Sequence, residues 1–240
     1  MKKDKNLRYW IFLIIRTFLI LSILINLLIV TFAVLQDDKV SGSEILVETS
    51  KRMEWIFWAL LTFILTFGSG VLEKQQKIDI PDILEIVIVL FIYAGIFLSA
   101  RYNLYYRFFW WDDLLHFFSG IIMGFIGFIV IYKLNRNYSM DLSPIFVALF
   151  AFSFAVTLGV FWEILEFSAD VVLGTAHQKW NLPDTEIMMG YPHQGSGLRD
   201  TMSDLILNSV GAFITSLITY YIYKNRRKSV LEEMKKMIVE

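Results

Sequence analysis

The chain has 240 residues, of which 56% are hydrophobic and 16% aromatic, with a mean hydropathy of +0.56. Apolar runs this long and numerous are not those of a soluble domain, and a net charge of −1 without a basic patch argues against a nucleic-acid partner. There is no cysteine, which excludes disulfides, thiolate metal sites and a cysteine nucleophile.

A basic start (Lys2, Lys3, Lys5, Arg8) precedes the first apolar span, about 9–35. That run is too long for a signal-peptide core and no small-residue cleavage pattern follows, so it is expected to remain as a span. Arg16 lies near enough to the basic end to snorkel, and Asn26 can bond another helix or its own backbone. Ser41-x-x-Glu44 reads as a capping box before a short interfacial turn. The second span, about 53–72, ends in Gly68-Ser69-Gly70. Pro81 opens the third, about 82–100, since proline suits a helix's first turn, and Glu85 there is expected to be solvated at the membrane edge.

The fourth span, about 109–132, opens on Trp110-Trp111-Asp112-Asp113-Leu114-Leu115-His116 and carries a stripe of Gly120, Gly124 and Gly127, which allows close helix approach. Pro144 opens the fifth, about 144–172, which bears Glu163, Glu166 and Asp170. The connection 174–198 is long, and loops of that length are often functional. The sixth span, about 201–223, opens on Arg199, Asp200 and Asp204, with Asn208 a turn further on. Residues 224–240 form a short basic tail. The expectation is one all-α transmembrane domain over 1–240, a polytopic bundle of about six helices in the lipid bilayer.

With the amino terminus inside, 14 basic residues fall on inner segments and 7 on outer ones. The positive-inside rule then puts both termini and the tail in the cytoplasm. The three acidic stretches all fall at the outer ends of the last three spans. At ~1.5 Å per residue, His116, Glu163, Asp204 and Asn208 share a similar depth. Asp112 and His116 are one turn apart. Glu163, Glu166 and Asp170 share one helical face, and Asp200, Asp204 and Asn208 another. Ionisable groups cost about 2.5–3.5 kcal/mol at the centre of a span and less near the interface. Their charge calls for an offset: bound metal, shared protons or an arginine folded into the site.

These residues therefore form the candidate site. His116, Glu163, Glu166 and Asp204 are expected to hold a divalent metal ion, and Asp113 to act as general base. Asp112, Asp170, Arg199, Asp200 and Asn208 are further site residues, and the loop histidines His177 and His193 are weaker ones. Imidazole with carboxylates suits Zn, Mn, Fe or Mg without choosing among them.

The chain resembles the YjdF-like family of uncharacterised bacterial membrane proteins. The likeness lies in Trp111-Asp112-Asp113-Leu114-Leu115-His116-Phe117, Trp162-Glu163-Ile164-Leu165-Glu166, and Asp200-Thr201-x-x-Asp204-Leu205 with Asn208 and Gly211. It is more distantly similar to the VanZ-like proteins, a group associated with glycopeptide resistance. Asp113 stands where their pattern has Lys and Glu166 where it has Gln, so this site is more acidic, which favours a bound cation. Two functions follow: a metal-dependent hydrolase or transferase on a lipid-linked or envelope substrate, or a non-enzymatic protein that binds or moves a cation, proton or amphiphile. The oligomeric state is not encoded in any of these patterns.

Overall fold

The computed structural model describes residues 5–35, 42–76, 80–138, 140–174, 176–180 and 195–238, and every regular element among them is helical. Among the described residues six helices are long and apolar enough to cross a membrane: Leu7–Leu35, Leu46–Gln75, Asp82–Tyr102, Trp110–Tyr138, Pro144–Val172 and Ser196–Arg226. The chain divides into two compact units, Met1–Phe109 and Trp110–Glu240.

The first unit contains α1 (Lys5–Leu35), α2 (Gly42–Leu65), α3 (Gly68–Gln76), α4 (Asp82–Ile92), a π-helical turn at Tyr93–Leu98, α5 (Ser99–Tyr102) and α6 (Leu104–Arg107). Its core is Ile15, Leu19, Ala59, Val89 and Phe97. Residues from Gly42 are already helical where an interfacial turn was expected; Ser41 of the expected capping box lies outside the described residues. The expected snorkelling of Arg16 gives way to a tethered side chain. Its Nε and Nη2 donate to the Thr66 hydroxyl and carbonyl at 3.0 and 2.8 Å, where α2 breaks into α3. Glu85 differs from its expected solvation too. It is 2% exposed and accepts from Arg8, which also lies 3.2 Å from Asp82. Burial takes Glu85 out of solvent, and its charge is met by a cation from α1.

Among its described residues the second unit has three long helices, α7 (Trp110–Tyr138), α8 (Pro144–Leu173) and α9 (Ser196–Ile238). Ser143 caps α8, its hydroxyl accepting from Phe146 N, with Pro144 in the first turn. The buried face of α7 runs Asp112, His116, Gly120, Gly124, Gly127, Ile131 and Asn135, at helical spacing. On α8 it runs Ala148, Ala151, Ala155, Gly159 and Glu163, and on α9 Asp204, Asn208, Ala212, Thr215, Thr219 and Tyr223. Each helix thus carries one stripe of small residues that ends in acids.

Small residues set how close the helices come. A Cβ on Gly120 would overlap the Asn208 carbonyl of α9, and one on Gly211 the Phe117 carbonyl of α7, so the two backbones touch there. At Gly124 and Gly127 a Cβ would come within 2.9 Å of Thr215 and 3.0 Å of Phe154. At the far end Asn135 Nδ2 donates to Tyr223 Oη at 2.5 Å, while its Oδ1 accepts from Leu142 N at 3.2 Å, tying α7 to α9 and to the α7–α8 turn. With that end fixed and the middle in backbone contact, the acidic ends converge.

Candidate functional site

The imidazole of His116 (6% exposed) sits among carboxylates from all three helices. Nε2 lies 3.5 Å from Asp112 Oδ1 and 3.8 Å from Asp204 Oδ2, and Nδ1 lies 3.8 Å from Glu163 Oε1. Two overlapping groups of potential ligands result, Asp112–His116–Asp204 and His116–Glu163–Glu166, in each of which the ligand atoms lie within 4.8 Å of one another. Donors about 2.1 Å from one ion lie at most about 4.2 Å apart, so these side chains would close by a fraction of an ångström to hold one.

The polar accounting singles out two of these acids. Glu163 and Asp204 are 4% and 1% exposed, and all four of their carboxylate oxygens are buried without a hydrogen bond. Asn208 Oδ1 is likewise buried and unpartnered, although its Nδ2 donates to Ser119 Oγ at 2.9 Å. Gly159 makes room for that amide, because a Cβ there would stand 2.6 Å from Asn208 Oδ1. Glu166, half-buried, accepts from Trp162 Nε1 at 2.8 Å.

The remaining predicted residues divide by partner. Asp113 accepts from Ser203 Oγ of α9 at 3.3 Å and is not in either ligand group. Asp170 is buried at the end of α8. Its carbonyl accepts from Gly174 N, where the chain turns with φ +68°, and its carboxylate accepts from His177 N at 2.8 Å and Gln178 N at 3.0 Å. Asp170 therefore organises the start of the connecting loop. His177 contributes its backbone to that contact while its side chain is exposed; His193 lies outside the described residues. Arg199 is half-buried in the first turn of α9.

The cation the structure brings into the cluster comes from a residue the sequence did not single out. Lys179 Nζ lies 2.7 Å from Asp112 Oδ2 and 2.6 Å from Asp200 Oδ1. Burial by itself would lower the pKa of this ammonium; Asp112, and then Asp200, more than reverse that and hold it above the ordinary lysine range. Its backbone takes φ +46°, a conformation that costs a non-glycine residue roughly 1–2 kcal/mol. Neighbouring contacts hold it there: Gln178 Nε2 donates to Thr201 Oγ1 at 2.6 Å, and Trp180 packs where Gly197 leaves space. Lys179 had no sequence signal beyond being a loop lysine.

Six apolar helices and a buried polar cluster define a polytopic integral membrane protein, lodged in a lipid bilayer. The chain belongs to the family described as Predicted membrane protein (DUF2238), which matches residues 19–226. It is also similar to a Thermotoga maritima protein described as an uncharacterized protein, with 30% identity over 166 residues, covering 69% of this chain and 74% of that one. No solved structure matches.

Proposed function

We propose that this protein is a divalent-metal-dependent hydrolase or transferase of the bacterial cell membrane. It would act on a lipid-linked or envelope substrate at the extracytoplasmic end of its last three helices. The observation that carries this reading is the pair Glu163 and Asp204, buried on either side of His116 with four oxygens that accept no hydrogen bond. A buried carboxylate that accepts no hydrogen bond is costly, and a cation held by His116, Glu163 and Glu166, with Asp204 facing the other imidazole nitrogen, offsets that cost. Such an ion, when bound, supplies an activated water at neutral pH. Asp113 is the assigned general base, kept in place by Ser203. Trp110, Trp162 and Trp180, all exposed at this end, suit the headgroup level where an amphiphile would present its polar part.

The side assignment rests on charge. Within the last three helices, Lys133, Arg136, Lys224 and Arg226 lie at the end away from the cluster. Both termini are then cytoplasmic. The YjdF-like resemblance, and the more distant VanZ-like one, rest on the same residues that surround His116.

A conducting role is less well supported. Residues 117–131, 145–162 and 205–219 contain no Asp, Glu, Lys, Arg or His. The buried hydroxyls on that part of the α9 stripe are tied to backbone carbonyls: Thr215 to Ile121, Ser216 to Phe213 and Thr219 to Ser216. They offer no relay of ionisable groups inward from the site.

The test is an activity screen. Detergent-purified protein with added divalent metal is incubated with a bacterial lipid extract, and products are followed by mass spectrometry. The reading expects a lipid species to be consumed by wild type with metal, and by neither Glu163→Gln nor wild type with chelator. Stoichiometric metal without any metal-dependent turnover would leave a binding protein in place of an enzyme.

A further inference from the structure

The acidic cluster holds more carboxylates than one ion needs, and they are not equivalent. On the Nδ1 side of His116 stand Glu163 and Glu166; on the Nε2 side stand Asp112 and Asp204, with Asp200 joined to Asp112 through the Lys179 ammonium. The imidazole ring separates the two sets. Lys179 reaches only the second.

We infer that His116 divides the cluster into two cation subsites, one of Glu163 and Glu166 that takes a divalent metal, and one of Asp112, Asp200 and Asp204 whose place for a second ion is taken by the Lys179 ammonium. This rests on the metal reading above and refines it, since Asp204 then faces the imidazole nitrogen opposite the metal. Four observations carry it. Lys179 bridges two carboxylates at charge-assisted distances, in the manner of a bound cation. Its segment is fastened on three sides, by Asp170, by Thr201 and by Trp180 at Gly197, and its backbone is held at φ +46°. A non-glycine residue persists in that conformation only where its surroundings over-determine it. Finally, Asp204 keeps both oxygens buried and unpartnered beside the ammonium's two acids, so the second subsite has a ligand in reserve.

The consequence concerns stoichiometry. With the ammonium present, a second divalent ion on the Nε2 side would bring two like charges against the same carboxylates. Without it, Asp112, Asp200 and Asp204 would surround a vacant cation position and would bind one. Lysine supplies a fixed monovalent charge that does not exchange with solvent, which confines exchangeable metal to the Nδ1 side.

The experiment counts Mn2+ bound to the detergent-purified full chain by equilibrium dialysis with EPR detection. Wild type is expected to bind one ion per chain. Lys179→Met, which keeps the aliphatic stem, is expected to bind two, and Lys179→Arg one. Adding Asp112→Asn to Lys179→Met should return the count to one, and Lys179→Ala repeats the test if the Met variant does not fold. A count of one in Lys179→Met, or of two in wild type, overturns the two-subsite assignment and leaves the metal reading intact. A count of zero in wild type overturns both.

Discussion

Among the described residues lie two buried acidic clusters, and they are treated in opposite ways. In the first unit Glu85 and Asp82 meet the guanidinium of Arg8, and Glu73 accepts from Ile80 N at 2.8 Å. In the second unit Glu163 and Asp204 are as deeply buried as Glu85, yet their oxygens accept no hydrogen bond. The one lysine docked there goes to Asp112 and Asp200 instead. Burial alone therefore does not mark a site. A buried acid bonded to a resident cation stabilises helix packing; a buried acid that faces only an imidazole at 3.8 Å leaves a place for something else to bind.

Loss of the resident cation in the first unit should cost the most stability. Arg8→Met strands Glu85 without its cation, and an uncompensated buried carboxylate costs about 3 kcal/mol or more. Thermal unfolding in detergent should fall by several degrees. Glu163→Gln, assayed without metal, should leave the melting temperature unchanged or raise it, because it removes a buried charge whose oxygens accept no hydrogen bond and which faces other carboxylates. Equal destabilisation by both would mean that the two clusters are alike.

The next effect concerns the frame that brings the acids together. Gly124→Leu puts a side chain where a single Cβ already comes within 2.9 Å of Thr215, and overpacking of this kind costs about 1–3 kcal/mol. Lower thermal stability together with weaker metal binding is the expected outcome. Binding that survives while stability falls would show that the site does not depend on the seam between α7 and α9.

Much of this frame is legible in the sequence, because helical spacing is local. Asp112, His116, Gly120, Gly124 and Gly127 fall on one face by arithmetic alone, and the structure buries that face. Glu163 follows Gly159 by four residues on the buried face of α8 in the same way. Residues whose role depends on distant partners were not legible. Glu85 resembles an edge acid until Arg8, 77 residues away, is placed beside it. Lys179 resembles a solvated loop lysine until its contact with Asp112, 67 residues away, is seen. Asn135 and Tyr223 meet across 88 residues. Apolar runs carry no information on such pairs, and the connecting loop has no periodicity to indicate which of its side chains turns inward.

Three smaller effects are expected at the second cluster. Metal affinity should fall as acid protonates the ligands, since carboxylates and imidazole bind metal only when deprotonated; competitive titration between pH 8 and pH 5 reads this directly. Single removals of His116, Glu163 or Glu166 should be non-additive in double variants, as for groups that act as a unit. His177→Ala should change stability and affinity least, by within about 0.5 kcal/mol, because its side chain is exposed and only its backbone N–H reaches Asp170.

Whether the cluster around His116 holds a metal is read from the metal content of the purified protein, measured by elemental analysis on wild type and Glu163→Gln prepared side by side. A divalent metal near one per chain in wild type, lost in Glu163→Gln with the fold intact, is the predicted result. No metal in either protein after reconstitution, or equal amounts in both, would contradict the account.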